Sequence, residues 1–456
     1  MLVALELQSA DLKSIPRVPG AIPLVGHALK VWRDPLEFLK SLPAHGDLVR
    51  LNLGTLPVYV VTSTELAYQV MATKARSFEK GRFFDRVRPF AGNGLANSDG
   101  EFHRKHRRLI QPMFSKERIA QYSEIMGRKA TEMVESWKPG DVVEIQKEVT
   151  TYGVETLAET LFSTGVDKSL VDTIHRNLPV LMKNMLLRAA SPKILDRVPV
   201  RPNREFDTAS ANLRKVIDDV ILASRAAGGT DRKDLLTLLL AAQDSESGEG
   251  LTDTEVRDEL TIILYAGVET TAATISWTMH HLAGHPEEEK KLVAEILEVV
   301  GDRPVTIEDV PRLPGVRRVV DEVIRLHGVT LLMRRATEPV ELGGYLVPPG
   351  TEIALSPYAI HRDGRVYENP DAFDPDRWLP ERQKAAGLER EHFIPFGAGS
   401  HKCIGDIYAY TEATIALVTM LSRWRLAPVA GHTPTEVAAT VPVADRVAMV
   451  VQPRRP

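Results

Sequence analysis

One stretch constrains this chain more than any other: Phe393-Ile-Pro-Phe-Gly-Ala-Gly-Ser-His-Lys-Cys-Ile-Gly-Asp-Ile-Tyr408. It holds the only cysteine among 456 residues. Gly397 and Gly399 precede Cys403, and Gly405 follows it. Beyond them, apolar or small residues recur at Ile407, Tyr410, Ala413, Thr414, Leu417, Val418 and Leu421 with a helical period. The pattern predicts a tight glycine turn opening into a helix, with the sulfur near the helix start. The first amides of a helix have no partner inside it and carry partial positive charge. A sulfur there is held as thiolate, the form that binds metal. Glycines let backbone pass close to a flat, bulky group. Three readings of a lone cysteine stay open on these grounds: a buried core residue, a structural zinc ligand, or a haem iron ligand. Zinc is disfavoured, because no second cysteine and no close histidine pair completes its usual set.

Composition narrows the class. The chain is 43% hydrophobic and 26% charged, an ordinary globular balance with ample core. A net charge of −4 argues against a nucleic-acid binder, which is normally basic. A single cysteine excludes an intrachain disulfide framework and suits a reducing cytoplasm. Asp11, Lys13 and Arg17 interrupt the N-terminal stretch, and no apolar run there approaches the ~20 residues of a membrane helix. The expectation is a cytoplasmic protein without a membrane anchor.

Taken in order, residues 16–35 are rich in Pro and Gly and predict an irregular leader. Leu48 to Val61 alternates and predicts a hairpin around Gly54-Thr55. Residues 78–98, with Phe83, Phe84, Phe90, Gly92 and Gly94, show no clear period and are expected to form a functional loop. His103 and Arg107 are four apart and share a helix face; a solvated basic helix is the bland alternative. Residues 178–196 form a soft apolar segment, including Leu186, that suits either core or a lid. Thr252 and Glu255 spell a capping box, opening a helix to about Gly284. In its middle lies Ala266-Gly267-Val268-Glu269-Thr270-Thr271, a run of poor helix formers. It is either a close helix crossing or a loosened turn beside a site. Glu322 and Arg325, three apart, meet on one helix face. Short strands are expected over Glu341 to Ile353, and a hairpin-like element over Thr440 to Val451.

The order Phe396-x-x-Gly399-x-His401-x-Cys403-x-Gly405 resembles the haem-binding loop of the cytochrome P450 family. Ala266-Gly267-x-Glu269-Thr270, Glu322-x-x-Arg325 and Phe373-Asp-Pro-Asp-Arg377-Trp378 resemble the family's other signatures, in the family's order, and the likeness covers residues 16 to 452. The resemblance implies a mainly α fold with a small β-rich lobe, a triangular domain over residues 16–456 behind a 1–15 tail. Haem b would lie between the 253–284 helix and the Cys403 loop. It implies Cys403 as the iron ligand, with Phe396, Gly397 and Gly405 around it and Ala266 and Gly267 on the opposite face. His103, Arg107, Arg334 (or Arg335 beside it) and His401 would hold propionates. Glu269 and Thr270 would handle protons for O2 activation, and Glu322, Arg325 and Arg377 would form a structural cluster. Thiolate ligation favours O–O cleavage, so the implied reaction is insertion of one oxygen into a C–H bond. No flavin fingerprint or cysteine-cluster spacing appears, so ferredoxin and a ferredoxin reductase are the implied electron source, docking on a basic patch of Arg104, Lys105, Arg108 and Lys402. The expected substrate lining is nearly all apolar: Phe83, Phe84 and Phe90; Leu186; Tyr265 and Val268; Val329 and Leu332; Val441. That favours a hydrophobic small molecule. The chain looks like actinobacterial members that hydroxylate sesquiterpenes; a steroid, fatty acid or macrolide is the alternative. A peroxide-using or isomerising haem-thiolate enzyme and a non-catalytic haem sensor are the rival classes.

Overall fold

The computed structural model describes residues 11–162, 168–190, 193–226 and 234–454. The chain divides into two compact units. One comprises residues 1–85, 328–372 and 380–403; the other comprises 86–327, 373–379 and 404–456.

The first unit is built on a five-stranded sheet ordered Leu48–Leu53, Leu56–Val61, Glu352–Leu355, Leu332–Ala336, Phe78–Lys80. The expected hairpin is present, with Gly54 at a φ of 62° and Leu53 opposite Leu56. Alternation then sorts the strands. Leu48, Tyr59, Val61, Ile353 and Leu355 face one apolar cluster, while Val49, Leu51, Val58, Val60 and Ala354 face another with Phe38 and Leu42. Both faces are buried, which explains the near-continuous apolar runs. Val340–Leu342 and Tyr345–Val347 pair separately as a ribbon.

The second unit is mainly helical. Its central helix, Asp253–Gly284, carries the complete capping box of Thr252 and Glu255. Gly267 and Gly153 explain its close crossing with the helix Ile145–Phe162. A Cβ on Gly267 would lie 3.0 Å from Leu157 Cδ2, and Gly153 faces Val268. The close-crossing reading of the 266–271 run therefore holds. The helix also continues unbroken through that run, so the loosened turn is absent. Hydroxyls of Thr270, Thr274 and Thr278 each donate to the carbonyl four residues back, which keeps this Thr-rich stretch helical.

Three expectations need correcting, and the 178–196 segment keeps its helical reading. The leader 16–35 contains the helix Ala28–Arg33. Residues 78–98 are mostly ordered structure: the strand Phe78–Lys80, then the helix Arg82–Ala91 with Pro89 inside it. Phe83, Phe84, Val87, Phe90 and Ala91 fall at helical spacing there, a period hidden by the Pro and Gly content. The soft 178–196 segment continues the helix Lys168–Ala190 and ends in Lys193–Asp196, with Pro192 outside the described residues. Finally, Thr440–Val451 is not one hairpin. Val443–Ala444 pairs back onto Glu436–Val437, whereas Ala448–Pro453 inserts between Val142–Glu144 and Trp424–Pro428. Among the described residues, no helix is long and apolar enough to cross a membrane.

Candidate functional site

The cysteine loop belongs to the first unit. Its bend is fixed by Gly397 N–H donating to the Ile394 carbonyl at 3.0 Å and Cys403 N–H donating to the Phe396 carbonyl at 2.9 Å. Gly397 and Gly399 have φ of 71° and 67°, which side chains disfavour. At Gly399 the reason is also spatial, since a Cβ would lie 2.3 Å from the Met71 carbonyl oxygen. The glycine thus serves packing on protein backbone. Cys403 itself is exposed, and the helix Asp406–Arg423 of the second unit starts three residues later. An exposed cysteine is unusual, because the type is among the most buried.

In the same unit, Arg334 is buried on the strand Leu332–Ala336, and its Nη1 donates to the Met333 carbonyl at 2.8 Å. Arg335 is committed elsewhere, with Nε 2.7 Å from Glu79 and Nη1 2.9 Å from Asp85. Arg334 is thus the more deeply buried of the two, and Arg335 is held by acids of its own unit. Phe83 and Phe84 meet edge to face at 5.4 Å, and the Val329 carbonyl accepts from Tyr358 N–H. His401 sits in the one-turn helix Gly399–His401.

In the second unit, Ala266, Glu269 and Thr270 share a face of the central helix. Ala266 is exposed, although most of the helix on either side is buried. A long core helix with an opened mid-section is what a bound group beside it requires. The Thr270 hydroxyl donates to the Ala266 carbonyl at 2.9 Å. Burial pushes the Glu269 carboxyl up to about 7, while a hydrogen bond from Thr440 pulls it down. Burial also raises the Tyr265 phenol. Val268 is buried against Gly153, off the open face. Phe90 packs edge to face on Phe206 at 4.9 Å, and Val441 is buried. The side chain of Leu186 lies outside the described residues.

His103 and Arg107 lie on the helix Gly100–Ile110, where His103 is 3% exposed. A contact invisible in sequence sets this helix against the central one. Buried His106 places Nδ1 2.5 Å from Glu259 Oε1, and Glu259 also accepts Leu95 N–H at 2.8 Å. The neighbouring cations do not form an open basic patch. Arg104 pairs with Glu101, Lys105 with Glu249 at 2.8 Å, and Arg108 with Asp244 at 2.9 Å.

Glu322 and Arg325 are both fully buried on the helix Pro314–His327. Arg325 binds the carboxylate in two places, Nε at 2.9 Å and Nη2 at 2.8 Å. Arg377 Nε adds a contact at 3.5 Å, Trp378 Nε1–H donates at 3.0 Å, and Asp374 N–H donates at 3.0 Å. Trp378 and the Asp374 amide were not anticipated as members.

A sequence model of the cytochrome P450 family matches residues 16–447. The chain belongs to the cytochrome P450 family. It is 42% identical to cyclooctat-9-en-7-ol 5-monooxygenase of Streptomyces melanosporofaciens, over 91% of this chain and 90% of that one. It is 38% identical to pentalenene oxygenase of Streptomyces avermitilis, over 90% of each. The crystal structure of the cytochrome P450DA haem domain is similar at a TM-score of 0.85 and 26% identity, covering 97% of this chain and 98% of that one.

This P450 is accordingly a monooxygenase of a haem-iron family, and its residues fit that group. The thiol of Cys403 is presented on a rigid bend, the 266–270 face is open, and His103 and Arg334 are buried donors suited to carboxylates. Among the described residues no three of His, Cys, Asp or Glu gather into a metal cage; an iron already held by a porphyrin needs a single thiolate. The P450 carries one more buried carboxyl that the sequence reading passed over. Glu412, on the helix Asp406–Arg423, is 1% exposed. Burial pushes it up to about 8 against a hydrogen bond from Thr271. Burial, then Glu412 itself, raise the Tyr152 and Tyr408 phenols well above their usual range. A signal existed, for Glu412 is the only charged residue between Asp406 and Arg423.

Proposed function

We propose that this P450 monooxygenase hydroxylates a cyclic terpenoid, with haem b as its cofactor, Cys403 as iron ligand, and electrons from a ferredoxin and its reductase. The observation that carries the reading is the presented thiol of Cys403 on its stapled bend, in a chain 42% and 38% identical to oxygenases named for terpenoid substrates. When bound, a thiolate-ligated haem activates O2 for transfer of one oxygen atom into a C–H bond, the second being reduced to water. The protein's part is electrostatic and geometric.

The bend holds Cys403 through its N–H to the Phe396 carbonyl, and the Phe396 ring would pack against the sulfur face with the group bound. His103, Arg107, Arg334 and His401 offer donors and positive charge to two propionates. Thr270 holds a hydroxyl on the open helix face. By turning from the Ala266 carbonyl, that hydroxyl can hold a water or donate a proton. Glu269 sits one residue away with a carboxyl near 7, so at neutral pH it both takes and gives protons, as a relay requires. The mainly apolar expected lining binds a hydrocarbon skeleton by area rather than by charge. Glu322, Arg325 and Arg377 are the structural support.

Turnover settles the reading. With a ferredoxin, its reductase and NADPH, pentalenene or cyclooctat-9-en-7-ol should give an alcohol carrying oxygen from labelled O2. The reduced carbonyl adduct should absorb as a thiolate-ligated haem. Product from a steroid, fatty acid or macrolide but from neither terpenoid would overturn the substrate class. Turnover with peroxide alone, and none with ferredoxin, would overturn the electron route.

A further inference from the structure

Leu24 is the most exposed large apolar side chain among the described residues, at 86%. It also has a φ of 64°, the left-handed region that leucine disfavours and asparagine tolerates. An asparagine here would relieve both penalties, so the fold itself gains little from this leucine. The turn that carries it is firmly built. Gly26 N–H donates to the Ile22 carbonyl at 2.7 Å, and Ile22 N–H donates to the Gly26 carbonyl at 2.9 Å, closing a Pro23-Leu24-Val25 tip. Gly54 N–H donates to the Val25 carbonyl at 3.0 Å, and His27 N–H donates to the Asn52 carbonyl at 2.7 Å, which pins the tip to the end of the strand Leu48–Leu53. The fully buried His27 ring adds two contacts, Nε2 at 2.9 Å from the Val18 carbonyl and Nδ1 accepting Asn52 N–H at 3.0 Å.

The tip has apolar neighbours. Ile22, Val25 and Leu53 are exposed beside it. On the helix Ala28–Arg33, Val31 packs inward while Leu29 and Trp32, three apart, face out, Trp32 at 74% exposure. Apolar residues exposed singly are ordinary, whereas a group of them marks an interaction surface. Charge selects the partner. Residues 12–33 carry Lys13, Arg17, Lys30 and Arg33 and no acid, in a chain whose net charge is −4. None of the four has an acidic partner among the described residues. The flanking acids, Asp11 and Asp34, are each turned to a backbone N–H as helix caps.

We propose that this tip is a peripheral docking surface for an anionic lipid bilayer. Leu24, Leu29 and Trp32 enter the boundary of the acyl region, where tryptophan is favoured, and Lys13, Arg17, Lys30 and Arg33 meet headgroup phosphates. The chain then rests on the bilayer without crossing it. A hydrocarbon substrate dissolves in the same bilayer and is met at its surface; that consequence rests on the terpenoid reading, and the docking does not.

The test is flotation of the haem-loaded full chain with vesicles of equal parts phosphatidylglycerol and phosphatidylcholine. The protein should float with them and stay behind with phosphatidylcholine alone. Leu24→Asn should weaken binding about tenfold, with a melting temperature that holds or rises. Lys30→Gln should weaken it about fivefold. Binding should shift tryptophan emission to the blue, and Trp32→Phe should remove that shift. No flotation of the wild type, or equal flotation of Leu24→Asn, overturns the proposal. So does a dimer that Leu24→Asn dissociates without changing vesicle binding, which would make the tip an interface between copies. Slower electron delivery by ferredoxin to Lys30→Gln, with vesicle binding unchanged, overturns it in favour of a protein partner. Unchanged turnover of vesicle-dissolved pentalenene by Leu24→Asn, with binding weakened, overturns only the consequence for substrate supply.

Discussion

Glu322 and Glu412 are the same residue type, at 0% and 1% exposure, on two helices of the same unit. Their surroundings are opposite. Glu322 receives two guanidiniums, an indole N–H and a backbone N–H. Glu412 receives one hydroxyl, from Thr271, and its Oε2 has no partner among the described residues. Burying a carboxylate costs several kcal/mol unless donors replace the water it loses. Glu322 has them and serves as the hub of a hydrogen-bonded cluster. Glu412 does not, and keeps its proton to about pH 8. Burial therefore does not decide what a buried acid does; the donor count does. Glu269 lies toward the Glu412 end, with one hydroxyl donor and a midpoint near 7.

The largest effect should come from breaking the hub. Glu322→Ala leaves two buried guanidiniums without their carboxylate, which costs about 3–5 kcal/mol, a large share of the total stability of an ordinary domain. The expected outcome is little or no haem-loaded protein, measured as haem per polypeptide after purification. Full haem content at a wild-type melting temperature would mean that the five contacts count for less than their geometry suggests.

The second test works on the donor-poor acid. Glu412 has a raised folded value, so the folded state holds a proton that the unfolded state gives up above about pH 4.5. Its contribution is intact below that pH and is lost progressively up to about pH 8. Over that window stability falls on the order of 3 kcal/mol or more as pH rises. Glu412→Gln keeps the shape and cannot ionise, so the melting temperature should become flatter between pH 5 and 9. An unchanged slope would show that Glu412 is ionised in the fold.

What could be read from sequence divides along the same line. Cys403, its glycines, and the Glu322–Arg325 pair are local patterns, where spacing alone places the groups together. Trp378 and the Asp374 amide reach Glu322 across more than fifty residues, and no period announces such a meeting. His106 with Glu259 is hidden for the same reason. The helix Arg82–Ala91 was legible in its apolar spacing but masked by Pro89 and nearby glycines. The protonation of Glu412 depends on donor count, which exists only after folding.

A finer test moves Glu412 along the scale. The Thr271 hydroxyl lowers its titration, so Thr271→Val should shift the midpoint of the pH-stability curve upward by about one unit, or about 1.4 kcal/mol. Thr271→Ser should return it. A downward shift would mean that the hydroxyl accepts from the protonated acid instead of donating to the carboxylate.

The smallest effect belongs to ion pairs in water, which complete the comparison. Lys105 with Glu249 has a 2.8 Å contact like those inside the hub. Glu249 is mostly exposed, so solvent and salt compete for both charges. The Lys105→Ala, Glu249→Ala double-mutant cycle should move the melting temperature by less than about 2 °C. The same pairing governs the proposed docking of ferredoxin. Because Glu249 already offsets Lys105, Lys105→Ala should slow electron delivery at low salt by less than about threefold. A tenfold loss, restored by Glu249→Ala, would mean that the lysine's field reaches the partner despite its neighbour. Surface pairing would then carry weight of the order that only the buried hub is expected to carry.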